Sequence, residues 1–232
     1  MLSIPVMQTW PVSAFAPKSL LWRRSSVANS GGVSAGGLQR FAVTDGGGKW
    51  LCSMAADLWT LDKLLAAGVM EDLADGGAAI FVVPYWPFGS TPYPLGAAPE
   101  DVGHEDGSSF SDGSDYVSSG VEITLAADAG LRATQVTVTR TLCGPLKGGE
   151  VFSIAHNPPQ GYDTGKRLYR VVGIDGDTLT IRPPLRAAAP AGTSLDFSTP
   201  GCTMRLINSE DFMDAMTAPI MSAMAPQFQE AF

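Results

Sequence analysis

From Val121 to Ile207, apolar and polar residues alternate in short runs broken by Gly, Pro and Asp. Val121, Ile123 and Leu125 alternate with Glu122 and Thr124, and Val136 and Val138 alternate with threonines. Successive side chains of a strand point to opposite faces, so a two-residue period belongs to half-buried β-sheet. Similar runs follow at 150–155, 167–174, 178–181, 194–197 and 203–207, with Asp175-Gly176 predicting a hairpin turn. Short strands at this spacing predict a small β-barrel or sandwich with a core of Val136, Val138, Phe152, Ile154, Leu168, Val171, Ile181 and Leu206. The fold class expected for the whole chain is mainly β with a minor α part.

The flanking segments read differently. Residues 1–37 scatter Trp10, Phe15, Leu20, Leu21 and Trp22 among prolines and serines, which predicts an extended arm docked on another surface. Residues 38–43 and 49–55 flank Asp45-Gly46-Gly47-Gly48 and predict a hairpin. Thr60 can cap a helix in which Leu61, Leu64, Leu65, Val69 and Leu73 keep helical spacing, with Gly76 placed to end it. A short strand at 79–83 completes a module spanning 38–83. Residues 84–119 are rich in Pro, Gly, Ser and acids, and so long a loop is functional or disordered as a rule. Its acids repel one another, which predicts that a neighbouring chain orders it. Beyond the barrel or sandwich domain at 120–208, the tail 209–232 repeats Phe212, Met216, Ile220, Met224, Phe228 and Phe232 every four residues. Pro219 and Pro226 forbid one continuous helix there. Six large apolar side chains on a loose tail form an adhesive patch, so the tail is expected to pack on another subunit.

Composition supports a covered surface. Charged residues are only 16% of the 232, against about 25% in ordinary domains, while hydrophobic residues reach 45%. The net charge of −8 argues against sequence-specific nucleic-acid contact, which needs clustered Lys and Arg. Between Leu64 and Leu131 lie eleven acids and no Lys or Arg, which leaves the rest of the chain at +3. An acidic region beside a mildly basic remainder suits contact between copies or with a basic neighbour. Cys52, Cys143 and Cys202 have no CxxC spacing and read as buried thiols. No secretory leader and no membrane contact are expected, and folding in a reducing cytoplasm follows.

Motifs for chemistry are weak. Gly32-Val33-Ser34-Ala35-Gly36 fits the GxSxG pattern of hydrolases but leads into a strand where a nucleophile elbow needs a helix. His104 sits among Glu100, Asp101, Glu105 and Asp106, a solvated acidic loop without the order of a calcium loop. His156 precedes the turn Asn157-Pro158-Pro159. Gly165-Lys166-Arg167 lacks the earlier glycine and the hydroxyl residue of a phosphate loop. No enzyme activity, catalytic residue, cofactor or metal is therefore expected. Tyr85, Trp86, Phe88 and Tyr93 form an aromatic cluster stiffened by Pro84, Pro87, Pro92 and Pro94, expected to contact a neighbouring subunit, or alternatively a sugar or receptor.

Gly149-Glu150-Val151-Phe152-Ser153-Ile154, Arg167-Leu168-Tyr169-Arg170-Val171-Val172, Thr178-Leu179-Thr180-Ile181-Arg182-Pro183-Pro184-Leu185-Arg186, Pro190-Ala191-Gly192-Thr193 and Thr203-Met204-Arg205-Leu206 together resemble the distal tail proteins of long-tailed bacteriophages. The stretch from Gly36 to Val83 adds a looser match through Gly36-Gly37-Leu38-Gln39, Gly48-Lys49-Trp50 and the helix that follows. The resemblance implies a structural virion protein assembled in the host cytoplasm and located at the tail tip. It further implies a homo-oligomeric ring, a hexamer, that joins the tail tube protein to the tail hub protein and the receptor-binding parts.

Overall fold

The computed structural model describes residues 7–25, 28–43, 47–86, 90–96, 101–102, 116–117, 120–162, 164–214 and 222–232. Among the described residues the fold is mainly β, with 43% strand and 12% helix. In chain order the elements are β1 (Gln8–Thr9), α1 (Val12–Phe15), β2 (Ser19–Arg24), β3 (Ala28–Val33), β4 (Gln39–Val43), β5 (Trp50–Leu58), α2 (Leu61–Ala74) and β6 (Ile80–Pro84). There follow β7 (Asp101–Val102), β8 (Tyr116–Val117), β9 (Glu122–Leu125), β10 (Gln135–Leu142), β11 (Val151–Ala155), β12 (Lys166–Asp175), β13 (Thr178–Arg182), β14 (Gly201–Leu206), β15 (Ser222–Met224) and β16 (Gln227–Glu230).

The chain forms two compact units, each built from separated segments. Unit 2 takes Trp86–Ile154 and Leu168–Pro200; unit 1 takes Met1–Tyr85, Ala155–Arg167 and Gly201–Phe232. The boundary expected at 84 lies beside the junction of the units at Tyr85/Trp86, whereas those expected at 38, 120 and 209 fall inside a unit. The chain leaves and re-enters each of them within the strand-rich region.

Unit 2 contains the regular alternation. Its sheet runs β11-β12-β13-β10-β9, and both edge strands bond to the 193–196 segment. Leu195 N donates to Ile123 O in β9, while Asp196 N donates to Ser153 O in β11 and Ser153 N donates to Asp196 O. β12 and β13 meet as a hairpin in which Asp175 pairs with Thr178, and Gly176 takes φ +55°. The inward residues Val136, Val138, Phe152, Ile154, Val171 and Ile181 share one buried cluster, as expected. Leu168 and Leu206 are buried too, but Leu206 belongs to the sheet of unit 1.

Unit 1 is where the expectations need correction. The described residues of the arm expected at 1–37 include strands and core residues of unit 1. β1 pairs in parallel with β6, β2 pairs with β5, and Trp10 and Phe15 are fully buried in the unit's own core. The Trp10 ring lies 4.7 Å from Phe228 and 5.4 Å from Phe81, centroid to centroid. The strands expected to flank Asp45–Gly48 do not pair with each other among the described residues. β4 pairs back with β3 through a turn at Ser34–Gly37, where Gly37 adopts φ +77° and donates to Ser34 O. β2 is the strand that β5 pairs with, and prolines on its N-terminal side hid it.

The tail also returns to its own unit. β15 and β16 keep one register along β5, with Met224 opposite Ala56 and Gln227 opposite Ser53, so 222–230 is one strand interrupted at Ala225-Pro226. β16 lies between β14 and β5 in the middle of the sheet. A repeat of four is also a multiple of two, so side chains spaced at four share one face of a strand as readily as one side of a helix. Met224 and Phe228 are accordingly buried, and Phe212, outside the strand, is buried as well, which corrects the expectation that they bind another subunit. Phe232 is exposed, and Met216 and Ile220 lie outside the described residues.

Cys52 is part of this core, and burial pushes its thiol from 9.0 up to about 12. A thiol that ionises near 9.0 unfolded and near 12 folded holds its proton more tightly in the folded chain. Its contribution to stability is fully present below pH 9 and is lost as the pH rises towards 12, by about 1.4 kcal/mol per unit. Urea unfolding at pH 8 and pH 10.5 should show this loss in the native chain and a shallower one in Cys52→Ala. Equal losses in both would mean that the thiol is not the cause.

Candidate interaction surface

α2 begins where Thr60 Oγ1 accepts from Lys63 N at 3.4 Å and ends where Asp75 and Gly76 turn left-handed. It follows the expected span, but its apolar stripe faces the wrong way for a core. Leu61, Leu65, Val69 and Leu73 are 55, 59, 55 and 39% exposed, and small Ala67 and Ala74 with Met70 are the buried positions. Short alanines on the inner side let the helix approach its sheet closely. The four-residue spacing of the outer side chains aligns them along one side of the helix. Trp59, 64% exposed, extends the patch beyond the first turn, with Lys18 Nζ 5.8 Å from the ring centroid. Asp62 and Asp72 flank the stripe, and Lys63 points inward, donating to Phe15 O at 3.3 Å. The surface is thus apolar with an acidic margin.

The aromatic cluster expected at 85–93 is distributed over both units. Tyr85 is half-buried in unit 1, its ring 5.4 Å from Trp22. Trp86 is exposed at the start of unit 2, and Phe88 lies outside the described residues. Tyr93 helps to line a cavity of about 350 Å³ within unit 2, together with Thr91, Gly144, Lys147 and Glu150. Glu150 is buried and accepts from the backbone N–H of Lys147 and Gly148, at 2.5 and 2.8 Å. Its carboxylate is engaged in holding the loop.

The other motifs resolve into structure. Ser34 Oγ accepts from Leu38 N at 3.2 Å and closes the β3–β4 turn, so the GxSxG match is a turn motif here. His156 is half-buried in the loop after β11, and the loop with His104 lies outside the described residues. Among the described residues no group of three or more His, Cys, Asp or Glu is placed to hold a metal ion. Nor is any helix there long and apolar enough to cross a membrane.

A buried ion pair had no signal in the sequence. Arg167 and Glu230 are both fully enclosed in unit 1, 3.9 Å apart. Arg167 donates to Asn157 O and Ala231 O, and Glu230 accepts from Trp50 N at 3.1 Å. The Phe232 ring lies 4.8 Å from the guanidinium carbon. Charged residues at inward strand positions break the alternation on which the reading of 167–174 relied, so nothing marked these two as partners. No protein-family model matches the chain, and no curated protein matches it in sequence.

Proposed function

We propose that the chain is a non-enzymatic structural subunit, a tail-tip adaptor of a long-tailed bacteriophage. In this reading it forms a homo-oligomeric ring that joins the tail tube to the hub and the receptor-binding parts. The observation that carries the assembly role is the exposed stripe of α2. Contiguous exposed apolar patches mark interaction surfaces, and this one is rigid, capped and aligned along a helix. The low charge fraction of the sequence agrees with it, and the phage assignment rests on the strand motifs between Gly149 and Leu206. Electron microscopy of particles labelled with an antibody against the chain tests the location. Label at the end of the tail tube supports the adaptor, and label elsewhere or absent from particles overturns it.

A second reading, a carbohydrate- or receptor-binding module, is favoured by the exposure of Trp86 and by Tyr93 on the cavity of unit 2. A glycan array separates the two. An adaptor gives no glycan signal, whereas a signal lost in Trp86→Ala supports the binding module.

A further inference from the structure

The sheet of unit 1 has two unlike faces. The inner face carries Trp50, Cys52, Met54, Phe81 and Phe228, all buried. On the opposite face the register sets Arg23, Leu51, Gln229, Arg205 and Ile80 side by side across five strands. Leu21 lies beside this row and is 56% exposed, and Ile207, 51% exposed, lies one residue beyond β14. Both arginines are exposed. Asp57, at the far end of β5, is ion-paired with Lys18. This face is mixed: the basic Arg23 and Arg205 are interspersed with Leu51 and Ile80, and the acids of α2 have their counterpart in these two arginines.

We propose that α2 of one copy docks on this outer sheet face of the next copy, so that like units join head to tail. The inference rests on the ring-forming reading above and names the surfaces that would build the ring. Charge decides against the alternatives within one kind of molecule. Two α2 helices paired antiparallel about a two-fold axis would bring Asp62 of each towards Asp72 of the other. Two outer faces would oppose arginines to arginines. Only the unlike pairing matches acid to base and apolar to apolar.

The dimensions agree. Arg23 and Arg205 stand three strands apart, roughly 14 Å at a strand spacing of about 4.8 Å, and a helix with its side chains is about 10–12 Å wide. Asp62 and Asp72 are ten residues apart, about 15 Å along the axis. A helix lying along this row, across the strands, therefore sets one acid beside each arginine while Leu65 and Val69 lie over Leu51, with Leu21 within the helix width to one side. Such a contact uses a different patch on each copy, so it repeats, and it closes into a ring if the rotation allows.

Two variants of the full chain test it. Leu65→Glu with Val69→Glu spoils the helix, and Arg23→Glu with Arg205→Glu spoils the sheet face. All four side chains are exposed, so each variant should keep the native circular dichroism and melting temperature. In sedimentation velocity the native chain should assemble, and each variant alone should dissociate with affinity lowered about a hundredfold or more. An equimolar mixture of the two should stop at a heterodimer, because one good helix still meets one good face. Assembly of the helix variant like the native chain overturns this interface and leaves the ring reading standing. Dissociation of the helix variant without heterodimer formation on mixing overturns the head-to-tail pairing. A native chain that stays monomeric at every concentration overturns both.

Discussion

A chain ending at residue 218 is expected to lose the native fold of unit 1. The strand 222–230 runs along β5, and its second half also pairs with β14, so its removal leaves two inner strands with unpaired backbone groups. Phe228 and Met224 leave with it, and each fully buried side chain of this kind is worth about 1.5–3 kcal/mol. Glu230 goes too, and Arg167 is then a buried cation without its carboxylate. Against a total stability of roughly 5–15 kcal/mol for a domain, these losses together exceed the margin. Circular dichroism and tryptophan fluorescence should show no cooperative transition for Trp10, Trp22 and Trp50. A truncated monomer with the melting temperature of the full chain would mean that the tail docks on another subunit.

The second large effect is expected at Arg167. Arg167→Met should cost about 3–5 kcal/mol in urea unfolding, because it removes the guanidinium paired with the enclosed Glu230 carboxylate. Adding Glu230→Gln to that variant should restore part of the loss, since Gln keeps an oxygen for Trp50 N and removes the carboxylate whose paired guanidinium is gone. The carbonyls of Asn157 and Ala231 still lose their donors, so recovery stays incomplete. If the double variant were less stable than Arg167→Met alone, the cost would lie in packing and not in charge.

Where the sequence was legible, local chemistry and tertiary structure agreed. Val136, Val138, Phe152, Ile154, Val171 and Ile181 alternate with polar neighbours, and all enter one core. Thr60 and Gly76 bracket the helix as side-chain capping and left-handed backbone require. Where it failed, the partner of a strand lay far away in the chain. Ser19–Arg24 pairs with Trp50–Leu58 and not with a sequence neighbour, and nothing in either segment names the other. The tail failed for a different reason: its period of four satisfies helix and strand alike, and only pairing with β5 selects the strand. The exposed stripe of α2 has the spacing of a core-facing helix, so its outward direction could be read only once Ala67, Met70 and Ala74 were seen to be the buried side.

The acidic segment 84–119, expected to be ordered by a neighbour, lies largely outside the described residues, with β7 and β8 forming a two-residue pairing inside it. Native mass spectrometry of the purified full-length chain, with class averages from electron microscopy of the same sample, tests the assembly role most directly. A closed ring of one fixed copy number, six if the resemblance holds in detail, is the expected result. A monomer persisting to tens of micromolar, where stable interfaces of standard size are saturated, would contradict it.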